Sequence, residues 1–187
     1  NIGLDHAEWL GTTRESVAFE KAGIFRSARP AVCGDSAPPE SMLEHAIQTA
    51  VPLLVRGRDY DLVREAACWH WHGKDGAGCL LELRNLPMLT LPLENAALAL
   101  QAFALIEPSW QPERLIEALQ NTRITGRLDR RTIRWQGRDL SILLDVGHNP
   151  HAAAYLARQL QLQPKPGRRL AVFGLLADKD LAGVIDE

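Results

Sequence analysis

Several things are scarce in this chain of 187 residues, and each scarcity closes a class of function. Three cysteines, Cys33, Cys68 and Cys79, form no CxxC pair, so neither a disulfide framework nor a thiolate zinc site is expected, and the thiols read as reduced and cytosolic. No apolar run reaches the roughly 18 residues that a membrane span requires, and the opening residues lack the charged-then-apolar pattern of a signal peptide. Neither sign of charge dominates: the formal net charge is -2 with the signs interspersed, and the missing basic stripe argues against nucleic acid while leaving small anions open. Nor is there a GxxxxGK[ST] loop, or a GxGxxG opening a helix after a strand, so no cradle for the β and γ phosphates of a nucleotide is visible.

What is present fits a globular protein. An apolar fraction of 46% is enough for one good core or two small lobes. The start at Asn1 and the end at "DLAGVIDE", inside an apparent helix, suggest a piece of a longer polypeptide.

Residues Thr12 to Ala22 read as a helix, with Thr12 and Glu15 as a T-x-x-E capping box and Gly23 as a left-handed stop. "RPAVCG" reads as a short buried strand, Ser41 to Ala50 as a helix and "PLLVRG" as another strand, an alternation that favours a parallel α/β layer. "AACWHWHGKDGAGCLLELRNL" differs in kind: two alternating runs flank the turn-rich "GKDGAG", which is a β-hairpin signal. Glu94 to Ile106 and Pro112 to Thr122 carry helical periodicity. After Thr122 the pattern restarts with "LDRRTIRW", a turn at "QGRD", the run "LSILLDVG", a helix from Pro150 to about Leu162 and the strand "RLAVFGLL". The last three read as a strand-helix-strand unit, and a boundary near Thr125 divides the chain into residues 1–124 and 125–187.

The most informative segment is "LLDVGHNPHAA". Asp145 and His148 sit where a buried strand ends and where Asn149 and Pro150, a good cap and a good first-turn residue, start a helix. Ligands of open α/β sheets bind at the carboxyl ends of strands; equally, these side chains can simply tie down a turn. Arg127 in "TGR" offers a bidentate donor suited to phosphate, or it belongs to a surface run with Arg130 and Arg131. His6 stands in a loop ahead of the first helix. Lys21, in the last turn of that helix, is favoured there by the helix dipole alone. His70 and His72, two apart in a strand, face one side and could bind metal, but no third ligand is in view.

Taken in order, "LDHAEWLGTTRESVAFEKAGIFRSARPAVCGD", "RGRDY", "LPLENAALAL", "GR", "LLDVGHNPHAAAYL" and "FGLLADKD" closely resemble the bacterial bifunctional dihydrofolate synthase/folylpolyglutamate synthase family of the Mur ligase superfamily. The resemblance covers nearly the whole chain. It implies an α/β protein of Mur-ligase type, with part of a central ATPase domain followed by part of a Rossmann-like C-terminal domain. It further implies an ATP-dependent amide ligase in folate biosynthesis and polyglutamylation. In such a ligase a carboxylate of dihydropteroate or of a folate is phosphorylated to an acyl phosphate, which the amino group of L-glutamate then attacks.

Carried over residue by residue, His6 matches a ligand of one of two magnesium ions and Lys21 a lysine carbamylated by carbon dioxide. Asn95 matches an asparagine that contacts the nucleotide, and Arg127 and Asp145 match the pair by which the second lobe holds ATP; His148 falls in the same motif and is assigned to the catalytic set. The resemblance implies a cytoplasmic monomer, with no nucleic acid or membrane partner, that is inactive as this piece alone. Three departures stand out: Gly147 replaces an expected alanine and should loosen its turn, Thr125 replaces proline, and Leu128-Asp129 replaces an aromatic and glutamine. Three other readings compete: a non-catalytic nucleotide-binding or interaction module that keeps the fold, another Mur-type ligase, and a metal-dependent hydrolase built on His6, Asp145 and His148.

Overall fold

A computed structural model describes residues 2, 11–107, 109–162, 167–177 and 179–187. The chain divides into two compact units, with the break between Thr122 and Arg123, and each is considered by itself.

The first unit opens with α1 (Arg14–Ala22), followed by β1 (Ala31–Cys33), α2 (Glu40–Gln48) and β2 (Leu53–Val55). β1 and β2 pair in parallel, with Val32 opposite Leu54, as the alternation of strand and helix predicts. Val17, Ala18, Ala22, Cys33, Met42 and Val55 close a small core around them.

The capping of the two helices departs from the expected pattern. The cap of α1 is Thr13, not Thr12: its Oγ1 accepts from Ser16 N at 3.1 Å, and its own N–H donates to Ser16 Oγ at 3.2 Å. Glu15 is therefore released for another task. The first residue before α2 is Pro39, which has no side-chain acceptor to offer that helix. Glu15 supplies one from a distance, accepting from Glu40 N at 3.3 Å and Ser41 N at 2.9 Å, while Ser41 Oγ donates to Glu15 O at 2.8 Å. The orphan N–H groups of a helix start attract such a carboxylate. The Ser41 N–H accordingly holds the Glu15 carboxyl below its ordinary value. Gly23 does not provide a left-handed stop either: its φ is -57°, and the chain leaves the helix through a tight turn in which Phe25 N donates to Ala22 O at 2.8 Å.

The second layer of this unit is an antiparallel sheet of order β3-β4-β5, comprising β3 (Asp61–Arg64), β4 (Cys68–Lys74) and β5 (Leu80–Pro87). The hairpin between β4 and β5 is the expected one; β3 was not foreseen. Trp69 and Trp71 alternate onto the inner face, both wholly buried. They meet α3 (Leu93–Ile106), whose Leu93, Ala96, Ala97, Leu100 and Ala104 complete the core. The small residues of α3 let the indoles approach, and Trp71 Nε1 donates to Ala97 O at 3.1 Å, so the polar edge of the ring is satisfied where it is buried. Trp110 stacks on Trp71 with ring centroids 5.4 Å apart, just ahead of α4 (Pro112–Asn121). Gln101, fully buried, pairs with both backbone groups of Lys74, accepting from its N–H at 3.1 Å and donating to its carbonyl at 2.7 Å.

The second unit contains a hairpin, β6 (Asp129–Trp135) with β7 (Arg138–Leu144), then α5 (Pro150–Gln161) and the short α6 (Leu181–Ile185). Gln136 and Gly137 both take positive φ, 47° and 74°, the backbone that a two-residue turn needs to match strand twist. The strand expected from "RLAVFGLL" does not form a ladder among the described residues. A strand exists only where a neighbour accepts its backbone groups. Here β6 and β7 pair only with each other, and Leu170, Val172, Phe173 and Leu176 are exposed. The anticipated strand-helix-strand unit is therefore not closed.

Candidate nucleotide and ligase site

The register of β6 and β7 builds the centre of the candidate site. Asp129 opposes Leu144, so the residues entering β6 and those leaving β7 emerge at the same end of the hairpin. That pairing brings "TGR" beside "DVGHNP", which are 18 or more positions apart in sequence. Val146 N donates to Gly126 O at 2.8 Å, and Leu128 N donates to Asp145 Oδ2 at 2.9 Å. Asp145 Oδ1 meanwhile accepts from Gly147 N at 2.7 Å. One carboxylate thus ties both loops together through backbone amides.

Arg127 lies between two residues of left-handed backbone, Gly126 (φ 73°) and Leu128 (φ 46°). Gly126 is needed there twice over, since a Cβ would also lie 2.9 Å from Val146 Cγ1. The turn is closed by Arg127 N donating to Ile124 O at 3.1 Å. Asp129 fixes it from below: its Oδ2 accepts from Gly126 N at 3.3 Å, and the Arg131 guanidinium donates to both carboxylate oxygens at 2.9 Å. That ion-paired hydrogen bond holds the Asp129 carboxyl below its ordinary value. The structure therefore sorts the basic run Arg127, Arg130 and Arg131. Arg131 is committed to Asp129, whereas Arg127 is exposed and its guanidinium makes no hydrogen bond among the described residues. Asp129 was missed as a site residue; the signal for it was an acid three positions after a glycine turn and two before an arginine.

His148 precedes the cap of α5 by one residue. Its Nδ1 lies 3.1 Å from Val146 O, a contact that fits the tautomer protonated at Nδ1. Asn149 Oδ1 accepts from Ala152 N at 2.9 Å and Pro150 occupies the first turn, as expected. Gly147 does not loosen this loop. An alanine Cβ at that position would lie 2.9 Å from Asp145 Oδ1 and 3.0 Å from Ala152 Cβ, so glycine is what permits the tight approach of the Asp145 carboxylate to the helix start.

Lys21 and Asn95 belong to the first unit. Lys21 is exposed in the last turn of α1, and Asn95 is exposed in the first turn of α3, where its N–H donates to Pro92 O at 3.1 Å. Neither side chain makes a hydrogen bond among the described residues. His6 lies outside the described residues. Arg127, Asp145 and His148 are thus brought together in one loop cluster of the second unit, which presents an unpaired guanidinium, a carboxylate and an imidazole beside the start of a twelve-residue helix. Such a group of donors suits an anionic, hydroxyl-bearing ligand. As a metal ligand in a hydrolase, Asp145 would have to share oxygens already engaged with Leu128 and Gly147, which favours a loop-anchoring role.

Comparison with known proteins places the chain among related sequences and folds. Residues 126–187 match the Mur ligase, glutamate ligase domain. A dihydrofolate synthase/folylpolyglutamate synthase of Haemophilus influenzae is 35% identical over 100% of this chain and 44% of its own length. Among solved structures, E. coli FolC in complex with DHPP and ADP superposes with a TM-score of 0.84 at 36% identity, covering 99% of this chain and 42% of that one. A bifunctional folylpolyglutamate synthase/dihydrofolate synthase with Mn, AMPPNP and L-glutamate bound gives a TM-score of 0.82 at 37% identity, covering 99% of this chain and 42% of that one. The chain thus spans less than half the length of the relatives it matches. Along its whole length the chain is similar to the bacterial dihydrofolate synthase/folylpolyglutamate synthases, and its residues 126–187 match the glutamate ligase domain of the Mur ligases.

Proposed function

We propose that this chain is part of an ATP-dependent ligase that joins L-glutamate to dihydropteroate and to folates through an acyl phosphate. The observation that carries the reading is the pair of loops joined by Asp145, one carrying Arg127, whose guanidinium makes no hydrogen bond among the described residues, and the other carrying His148 just ahead of a helix start. The residues present suit a nucleotide: the Arg127 guanidinium is a bidentate donor for a phosphate, and the Asp145 carboxylate, besides anchoring Leu128 and Gly147, has lone pairs left for sugar hydroxyls. Residues 125–187 are assigned to the C-terminal ligase domain and 1–124 to the later part of the central ATP-binding domain, where Asn95 contacts the nucleotide. The enzyme is read as a cytoplasmic monomer with no nucleic acid partner.

Divalent metal, here two magnesium ions, would supply charge neutralisation for phosphoryl transfer when bound. From this chain His6 would ligate one ion, and Lys21 would orient metal or its waters once its ammonium has added carbon dioxide and given up two protons, one to free the amine and one on forming the carbamate. Carbamylation reverses the sign of a side chain that would otherwise repel the cation. Exposure of Lys21 leaves its amine open to dissolved carbon dioxide.

The test is glutamate-dependent ADP release by the protein expressed from its full coding sequence, with dihydropteroate or a reduced folate as acceptor and product mass as the readout. The reading requires a glutamylated product, a raised KM for ATP in Arg127→Ala, and a collapse of kcat in Lys21→Ala. Nucleotide binding without any glutamylated product would favour the non-catalytic module instead. Hydrolysis of a simple ester with metal alone would favour the hydrolase.

A further inference from the structure

Cys68, His70 and His72 alternate along β4, so all three face away from the Trp69 and Trp71 core. From sequence, the two histidines lacked a third ligand and the cysteines lacked a CxxC partner. The structure supplies what spacing could not show. Glu65 stands just before β4 in a turn closed by Glu65 N donating to Cys68 O at 2.9 Å. Its carboxylate reaches both neighbours: Oε1 is 3.1 Å from His70 Nε2, and Oε2 is 3.5 Å from Cys68 Sγ. One ligand atom from each of Glu65, Cys68 and His70 lies within 4.8 Å of the others. We propose that Glu65, Cys68 and His70 form a zinc(II) site on the outward face of the three-stranded sheet, separate from the loop cluster of Arg127, Asp145 and His148.

The donor set suits that ion. A thiolate, an imidazole and a carboxylate make the mixed soft and borderline environment that zinc accepts, and three protein ligands with water completing a tetrahedron are a known arrangement. The observed separations of 3.1 and 3.5 Å are close to the edges of a tetrahedron whose bonds are about 2.0 to 2.3 Å. The backbone is also shaped for the cluster. The β4–β5 register shifts between Trp69 and Trp71, and Asn85, with φ 55°, lies across from His70. Such a bulge re-aims side chains next to functional sites. His72 shares the face, but its cross-strand partners are Asp61 and Glu82, and it is not among the three converging groups.

Proton accounting is simple. In the metal-free cluster His70 Nδ1 accepts from Asn85 N at 3.2 Å, which places the ring proton on Nε2, shared with Glu65. Capture of zinc through Nε2 moves that proton to Nδ1, which breaks the hydrogen bond from the exposed Asn85 N–H. Cys68 Sγ donates to Glu65 Oε2 at 3.5 Å, and this thiol proton leaves when the sulfur binds zinc as a thiolate. Lone pairs on S, N and O enter the vacant zinc orbitals, and one proton leaves per ion bound.

Titration of the purified, reduced protein with zinc(II), in excess magnesium to fill sites for hard cations, tests this. The expected result is one zinc per chain with release of about one proton, and cobalt(II) substitution giving a thiolate charge-transfer band in the near ultraviolet. Cys68→Ser abolishes that band, and His70→Ala and Glu65→Gln weaken zinc binding at least tenfold, whereas Cys79→Ser changes nothing. Glu65 is exposed, so its variant folds even where the others do not. The proposal is overturned if no zinc binds above the background of Cys68→Ser, if the cobalt band survives Cys68→Ser, or if Glu65→Gln and His70→Ala both bind like the parent protein.

Discussion

The two units are held together by different physics. In the first, indole rings, small α3 residues and Gln101 fill an interior between a sheet and a helix. In the second, the hairpin strands are largely exposed on both faces, with Ile133, Trp135, Leu140 and Leu144 all open to solvent, and conformation is fixed by backbone pairing and by two carboxylates, Asp129 and Asp145. Side-chain burial gives the first unit its stability. Directional polar contacts give the second its shape, and they lie where a charged ligand would be held. Precision at a site does not require a deep core beneath it.

This contrast can be broken from either side. The largest effect is expected in the first unit, where Trp71→Ala removes a fully buried ring that stacks on Trp110 and should cost about 3 to 5 kcal/mol, read from denaturant unfolding followed by Trp69 and Trp110 fluorescence. Gly73→Ala should cost about 1 to 3 kcal/mol by overpacking, because the added methyl would overlap Gln101 Oε1 and the Trp71 ring; an unchanged melting temperature would mean that Gln101 moves aside without loss. In the second unit Asp145→Ala strips the partners from Leu128 N and Gly147 N, worth about 1 to 3 kcal/mol locally. The sharper readout is hydrogen exchange: amides of 126–128 and 146–147 should lose protection while those of β4 and β5 keep theirs. Equal loss in both units would erase the distinction drawn here.

Acid adds a fourth test. Burial works to raise the Asp35 carboxyl, but hydrogen bonds from Ile2 N at 2.9 Å and Ala37 N at 3.0 Å, with the Arg14 guanidinium at 3.0 Å, outweigh it and hold the group below its ordinary value. A carboxyl lowered in the folded state stabilises fully above its unfolded value, about 3.9, and that contribution disappears as pH falls through the lower folded value. Asp35→Asn should therefore be less stable near neutrality and should show a shallower decline in stability below about pH 4. The smallest effect is Thr13→Ala, about 1 kcal/mol from a lost helix cap, whereas Thr12→Ala should be silent in the same thermal melts.

That pair of threonines shows where sequence reading stops. The β4–β5 hairpin and the capped start of α5 were legible, because "GKDGAG" and "HNP" act through local backbone preference. The choice of Thr13 over Thr12 was not local, because Glu15 is engaged by Glu40 and Ser41, residues of a helix whose own start is a proline. Likewise Gln101 reads as a polar interruption of an apolar helix until Lys74 is beside it. The strand expected at "RLAVFGLL" has the right composition, but no neighbour accepts its backbone groups among the described residues. At the candidate site the motifs were visible and their junction was not: the role of Asp145 as a clamp on Leu128 follows from the strand register, and the need for Gly147 from the close approach of Asp145 and Ala152 to its Cα.

The same register makes the loop cluster sensitive to events far away. Each strand of the hairpin has seven residues, so Gln136 and Gly137 turn the chain roughly 25 Å from Asp145 at about 3.4 Å per residue. A single residue inserted or deleted at that remote turn would shift every rung by one and flip the facing of one strand. Gly126 would then miss Val146, and Leu128 would miss Asp145, although no residue of the cluster had changed. The hairpin acts as a ruler, and the spacing of the two loops is measured from its far end.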